Sequence, residues 1–361
     1  MRRHNEAHLG STFCRLLSAL WCCRESFTHQ PIVALCLQYT AIGSMQEVGE
    51  KNMRILAVDD DPSILELLNS VLAAFGYKDV ATARSGQEAL EILSDPSQVF
   101  DCLLLDVQMP KMNGITLCEE VRKIPDYVYT PIIMVTAMVQ KQYIDEAFEV
   151  GATDYVTKPF EFSDLKQRLS DAYRMAAERR AAIEVLKADE EQWQSSEVYP
   201  GVRICDPQYL GGLPGCIGLA EFENYVIQVS TMHSTAANIV AVKVTDMEQV
   251  YKSVSPNEFR ESMASAGAAL LRATKEGRKV ATYWGNGVFL FVFDKQDGKS
   301  AERLVQQGPE IADGVLLGTT LVFLVGEEIA LEATTKMEAL FLIDKAVELA
   351  ELRGDQVAQS G

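Results

Sequence analysis

Two aspartates, Asp59 and Asp60, follow an apolar run at 54–58, and a third, Asp106, follows a run at 100–105. Thr136 comes after the run 131–135, and Lys158 comes after 154–157. If these runs are neighbouring parallel strands, the five residues meet beyond the carboxyl ends, where open α/β sheets bind ligands. Three carboxylates at one edge repel one another, and their pKa values rise unless a cation neutralises them. Mg²⁺ suits that need, because it takes one or two carboxylates, keeps several waters and accepts phosphate oxygens as its remaining ligands. Lys158 adds a positive charge at the same edge, and the Lys158-Pro159 bond is a candidate cis peptide.

The elements that must position these residues are legible in the hydrophobic pattern. Short apolar runs at 54–58, 79–83, 100–105, 131–135 and 154–157 alternate with amphipathic stretches of helix length, which predicts repeated β-α units and a parallel sheet. Asp61-Pro62 supplies an N-cap acid with proline at the first helical position, and Ser85-Gly86 opens the second helix. Residues 161–197 contain neither proline nor glycine and predict one long helix or two in line. Leu165, Leu169, Ala172, Ala176, Ile183 and Leu186 follow a four-three spacing there, interrupted by Arg179; the first half fits a final helix packed on its own sheet, and the second half fits a seam between two chains. A second α/β pattern follows Gly211-Gly212-Leu213-Pro214-Gly215. Its predicted strands are 225–230, 238–245, 279–283, 288–293 and 319–325, and its predicted helices 257–275, 300–307 and 335–352. Asn286-Gly287 within Gly285-Asn286-Gly287 is a strong hairpin signal. The expected fold class is therefore α/β: a (βα)5 doubly wound parallel sheet, a helical linker, and a second α/β domain with a mixed sheet.

The first half resembles CheY-like receiver domains, on Val58-Asp59-Asp60-Asp61-Pro62, on residues 105–114 (LDVQMPKMNG), on Val135-Thr136-Ala137 and on residues 154–160 (DYVTKPF). The resemblance covers about a third of the chain. It implies that Asp106 accepts a phosphoryl group from a phosphohistidine of a sensor histidine kinase or histidine phosphotransfer protein; the receiver itself contains no histidine. The implied Mg²⁺ site is Asp60, Asp106 and the backbone carbonyl of Gln108, with Asp59 acting mainly through a water or by indirect contact. Lys158 and the Thr136 hydroxyl would each take a phosphoryl oxygen, since positioning and neutralisation are nearly the whole of this catalysis. Thr136 and Tyr155 are the expected switch: Thr136 drawn toward phosphate opens space for the Tyr155 ring to turn inward. Asp61 is assigned to the helix cap and left out of the site.

The second half resembles GGDEF domains, the diguanylate cyclase family, on Leu210-Gly211-Gly212-Leu213-Pro214, on Tyr283-Trp284-Gly285-Asn286-Gly287-Val288, and on Ile343-Asp344-Lys345-Ala346 followed by Arg353-Gly354. The family's third and fourth motif residues are carboxylates that bind metal; here they are Asn286 and Gly287. The resemblance therefore implies a degenerate, non-catalytic output domain. Two other readings are a phosphorylation-regulated cyclase with unusual ligands near Asp246 and Glu248, and a module that senses GTP or a cyclic dinucleotide. These motifs divide the chain into an extension at 1–52 that is disordered or a mis-assigned start, a receiver at 53–175, a helical linker at 176–205 and the GGDEF-like domain at 206–357.

Composition narrows the partners. A formal net charge of -18 argues against a sequence-independent nucleic-acid binder, which needs clustered lysine and arginine for phosphate contacts. Eight cysteines lack zinc or disulfide spacing, which points to a reducing compartment. The apolar runs of the first 44 residues are shorter than the roughly 18 needed to span a bilayer. A cytoplasmic response regulator without membrane or nucleic-acid partners, and with a possible homodimer through 161–197, is the expectation.

Overall fold

The computed structural model describes residues 52–190, 204–205, 207, 210, 213, 215–232, 237–245, 247–273, 279–294 and 323–360. The extension at 1–51, the predicted helix at 300–307, Asp246, the Glu248 side chain and the stretch 191–203 lie outside them.

Five strands form the first sheet: β1 (Ile55–Val58), β2 (Val80–Ala83), β3 (Cys102–Leu105), β4 (Ile132–Thr136) and β5 (Asp154–Thr157). Their order is β2-β1-β3-β4-β5 and every pairing is parallel. The three central strands, Ile-Leu-Ala-Val, Cys-Leu-Leu-Leu and Ile-Ile-Met-Val-Thr, are buried throughout, as strands covered by helices on both faces must be. Side chains of β1 alternate between two cores: Leu56 and Val58 face one, Ile55 and Ala57 the other. The helices between the strands are α1 (Pro62–Ala74), α2 (Gly86–Leu93), α3 (Gly114–Arg122) and α4 (Lys141–Glu149). Each of the first three starts on a side-chain cap. Asp61 accepts from the Ser63 amide, Ser85 from the Glu88 amide and Asn113 from the Thr116 amide, satisfying donors that the helix itself leaves free.

Helix α5 (Phe162–Glu190) runs without a break from the first sheet's layer into the expected linker. Leu165, Leu169 and Ala172 of its four-three row join the core formed by Ile55, Ala57, Leu68 and Val156, and Ala176 is buried as well. Apolar side chains already packed on their own sheet cannot also line a seam between two chains. The first half of the row thus packs on its own sheet, as its spacing allowed; the side chains of Ile183 and Leu186, in the half read as a seam between two chains, lie outside the described residues. The interruption at Arg179 has its own explanation. Its guanidinium donates to Thr130 Oγ1 at 2.7 Å and to the Asp126 carbonyl at 2.7 Å, while Arg180 pairs with Asp101 at 2.9 Å.

The second sheet contains β6 (Ala237–Val244), β7 (Lys279–Gly285), β8 (Val288–Asp294), β9 (Phe323–Val325) and β10 (Ile329–Ala330). Strand β6 pairs with β8 on one edge and with β9 and β10 on the other, and β8 pairs with β7. All these pairings are antiparallel; among the described residues, parallel character in this sheet is confined to the bridge between Cys216 and Ala281. The mixed sheet expected from the pattern is thus met only by that bridge. In β8, Val288, Leu290 and Val292 face one core while Phe289, Phe291 and Phe293 face the other, the period-two alternation of a sheet covered on both sides. Helices α6 (Leu219–Thr231) and α9 (Lys336–Ser360) cover the first face; α7 (Met247–Ser253) and α8 (Pro256–Ala273) cover the second. The predicted strand at 225–230 is part of α6 instead. Its Phe222, Tyr225, Val226 and Val229 are buried at helical spacing, and the short apolar run within it resembles a strand only when read without the residues before it.

The hairpin between β7 and β8 turns at Gly285-Asn286-Gly287, with φ of 118°, 52° and 75°. Left-handed backbone is open to glycine and tolerated by asparagine, which is why the sequence signal was specific. The layers built on the two sheets also touch. Strand β5 is the edge of the first sheet, and the carbonyls of Thr153 and Tyr155 accept from Asn224 at 3.0 Å and Gln228 at 2.9 Å on α6. Two residues of strand and four of helix both advance about 6 Å, so one helical face meets both carbonyls. An otherwise open sheet edge is closed in this way.

Candidate acidic site at the carboxyl edge of the first sheet

The strand ladders extend into the site and fix its residues. The Asp59 amide donates to Ala83 O at 3.2 Å, that of Asp106 to Val58 O at 2.9 Å and that of Lys158 to Thr136 O at 2.7 Å. These bonds leave the side chains projecting from a rigid edge. The Lys158 ammonium lies 2.6 Å from Asp59 Oδ2 and 2.9 Å from Asp106 Oδ1. Both carboxylates are buried, with residue exposures of 3% and 5%. Asp59 Oδ1 accepts from the Asp61 amide at 2.9 Å, and Asp61 caps α1 as anticipated. Asp60 is exposed and lines a pocket shared with Gln108, Asn113 and Tyr143. The Lys158-Pro159 peptide is cis.

Burial pushes the Asp106 carboxyl above the ordinary aspartate value, and the Lys158 bond and charge oppose that rise without cancelling it. For Lys158, burial works against the charged form, but its bonds to Asp59 and Asp106 prevail and hold it above the ordinary lysine value. The ammonium therefore stays charged at neutral pH. With Asp59, Asp60 and Asp106 ionised, one lysine leaves a formal excess of two negative charges, which a divalent cation would balance. Among the described residues no group of three or more acids, histidines or cysteines is gathered into a metal cage. The donors offered by Asp60, Asp106 and the Gln108 carbonyl instead fit an ion that retains several waters, as Mg²⁺ does.

Thr136 ends β4, is fully buried, and accepts a long bond of 3.4 Å from the Met138 amide through Oγ1. Tyr155 is fully buried too, and its hydroxyl donates to the Met138 carbonyl at 2.8 Å. Its ring thus stands in the inward position. At the start of α3, Gly114 passes so close to the loop after β3 that a Cβ there would sit 2.1 Å from the Asp106 carbonyl oxygen.

Residues 55–170 match the family model described as the response regulator receiver domain. The chemotaxis protein CheY-3 of Vibrio cholerae is 32% identical over 129 residues, which are 36% of this chain and 98% of that protein. The chain belongs to the response regulator receiver family. A probable transcriptional regulator, ycf27, of Cyanidium caldarium is 38% identical over 137 residues, covering 37% of this chain and 52% of the relative. The chain thus spans about half the length of that relative. Among solved structures, that of Vibrio cholerae CheY4 shares 36% identity over 33% of this chain and 98% of its own, with a TM-score of 0.32. Among the described residues, no helix of this response regulator is long and apolar enough to cross a membrane.

The receiver's contacts with α6 have no counterpart in the sequence reading. Tyr225 OH donates to Asp145 Oδ1 at 2.9 Å, Lys141 pairs with Asp145 at 2.7 Å and with Asp294 at 2.8 Å, and the Phe148 and Tyr225 rings meet edge to face at 5.4 Å. Asp145 is 3% exposed, and burial raises its carboxyl above the ordinary range despite Lys141. Lys141-x-x-x-Asp145 at helical spacing was the available signal, and it also describes many exposed helix pairs.

Proposed function

We propose that the protein is a phosphorelay response regulator whose Asp106 accepts a phosphoryl group from a phosphohistidine on a histidine kinase or phosphotransfer protein. The observation that carries this reading is the Lys158 ammonium held between Asp59 and Asp106 at the carboxyl edge of a parallel sheet. An Asp106 carboxylate oxygen attacks phosphorus; the new O–P bond forms as the P–N bond breaks, and the imidazole leaves with that electron pair. Lys158 and the Thr136 hydroxyl donate to two of the three equatorial oxygens, where the charge is spread. Mg²⁺ held by Asp60, Asp106 and the Gln108 carbonyl would neutralise charge on the remaining oxygen. Asp59 keeps Lys158 aimed at the acceptor. Acetyl phosphate should therefore modify the protein in the presence of Mg²⁺ and fail to do so in EDTA, as followed by intact mass. Equal modification in EDTA would exclude the metal-assisted reading.

The output domain is proposed to be GGDEF-like and non-catalytic. Support comes from the hairpin, where Asn286 and Gly287 stand in place of the two carboxylates. Lys243 on β6 reaches it, with its ammonium 2.7 Å from the Asn286 carbonyl and 2.9 Å from Glu351. With its charge balanced by Glu351, that ammonium takes up the Asn286 carbonyl oxygen. The hairpin is also packed shut, since its Asn286 amide donates to Ile204 O at 2.8 Å and Gly287 lies against Met247. The purified protein is expected to make no cyclic di-GMP from GTP with Mg²⁺ or Mn²⁺, phosphorylated or not. Metal-dependent product that disappears in Asp246→Ala would instead establish a cyclase, and calorimetric binding of GTP or cyclic di-GMP without turnover would establish a sensor.

A further inference from the structure

We infer that phosphorylation of Asp106 tightens the docking of α6 on the receiver instead of releasing it; this rests on the reading of Asp106 as the acceptor and of Thr136 as a phosphoryl ligand. The link is the segment from Thr136 to Lys141, which is held at three points. At its start the Met138 amide donates to Thr136 Oγ1, the hydroxyl assigned to the phosphoryl group. In its middle the Met138 carbonyl accepts from Tyr155 OH. At its end Lys141 is tied to Asp145 on its own helix and to Asp294 of the second domain.

The same Tyr155 is gripped from the other side, where Gln228 of α6 donates to its backbone carbonyl and Asn224 to that of Thr153. Tyr155, Ile144 and Phe148 share one apolar core with Phe222, Tyr225 and Val226 of α6. The docked helix thus covers the strand edge and encloses the tyrosine with its ring inside. In the proposed mechanism, a phosphoryl group that draws in Thr136 favours that same inward ring. Docking and phosphorylation then select one arrangement, and linkage requires each to strengthen the other.

The test uses the full chain, treated with acetyl phosphate and Mg²⁺, with peptide mapping to locate the phosphoryl group and hydrogen exchange read over residues 219–231. With Asp106 modified, amide exchange in 219–231 should slow by about five- to 150-fold, the usual range of coupling between two sites. Exchange that is unchanged or faster with Asp106 modified would overturn the inference while leaving the acceptor assignment intact. Modification at another residue, or none, would overturn the acceptor assignment and this inference with it. Gln228→Ala, which removes the contact to Tyr155, should still be modified at Asp106 yet show a smaller slowing than the unaltered chain. An equal slowing would remove Tyr155 as the link.

Discussion

Lys158→Met should lower the stability of the protein by about 3 kcal/mol, the scale for removing one partner of a buried ion pair. It should also slow phosphoryl uptake from acetyl phosphate by about a hundredfold, the scale for losing one preorganised donor at a developing charge. The side chains of Asp59 and Asp106 are 4% and 6% exposed, and the Lys158 side chain between them is 17% exposed. Methionine matches the length of the lysine stem but supplies no charge, so two like-charged carboxylates would be left facing each other out of water. Asp59→Asn in the same protein removes one of those charges and should recover part of the lost stability. The two losses are therefore expected to be non-additive, as they are for groups in direct contact. Denaturant midpoints for both single variants and the double variant measure this. Additive losses would mean that the ion pair contributes nothing beyond its separate parts.

Gly114→Ala should be as damaging, for a steric reason. The added methyl would lie 2.1 Å from the Asp106 carbonyl oxygen and 2.8 Å from its carbonyl carbon. Both are backbone atoms, so no side chain can rotate to make room. The glycine amide also donates to the Val107 carbonyl at 3.0 Å, which keeps the start of α3 against the acceptor loop. Relief requires the helix or the loop to move, at a cost of about 3 kcal/mol or more for overpacking. Because the loop carries Asp106, a shift of about 1 Å should also cost on the order of a hundredfold in uptake. Thermal melts and uptake rates measure the two effects separately. A variant with unaltered melting and uptake would mean that the close approach is readily relieved.

Much of the receiver was legible because its chemistry and its punctuation coincide. Asp59, Asp106, Thr136 and Lys158 each follow an apolar run, and Asp61-Pro62 and Ser85-Gly86 start helices where caps require them. Strand ends differ from the pattern by two residues or fewer, since the ladder and not the apolar run decides where pairing stops. The second domain was less legible. Residues 225–230 belong to a helix whose apolar side face is buried against both the receiver and its own sheet, and an apolar run of that length has no periodicity that separates the two states. The Tyr225 bond to Asp145 and the Gln228 bond to the Tyr155 carbonyl each span more than 70 positions, and no local spacing encodes such pairs. Leu165, Leu169 and Ala172 pack on their own sheet, as expected of the first half of the four-three row.

The central claim is that Asp106 is the phosphoryl acceptor. The most direct measurement is peptide mapping of the full chain after acetyl phosphate and Mg²⁺, with the acyl phosphate trapped by borohydride reduction so that the modified carbon is marked. The account predicts the mark on Asp106, with none on Asp59 or Asp60, and no modification in Asp106→Asn, whose amide is a poor nucleophile and brings no charge to a metal. A mark on another residue of the unaltered protein, or full modification of Asp106→Asn, would contradict it.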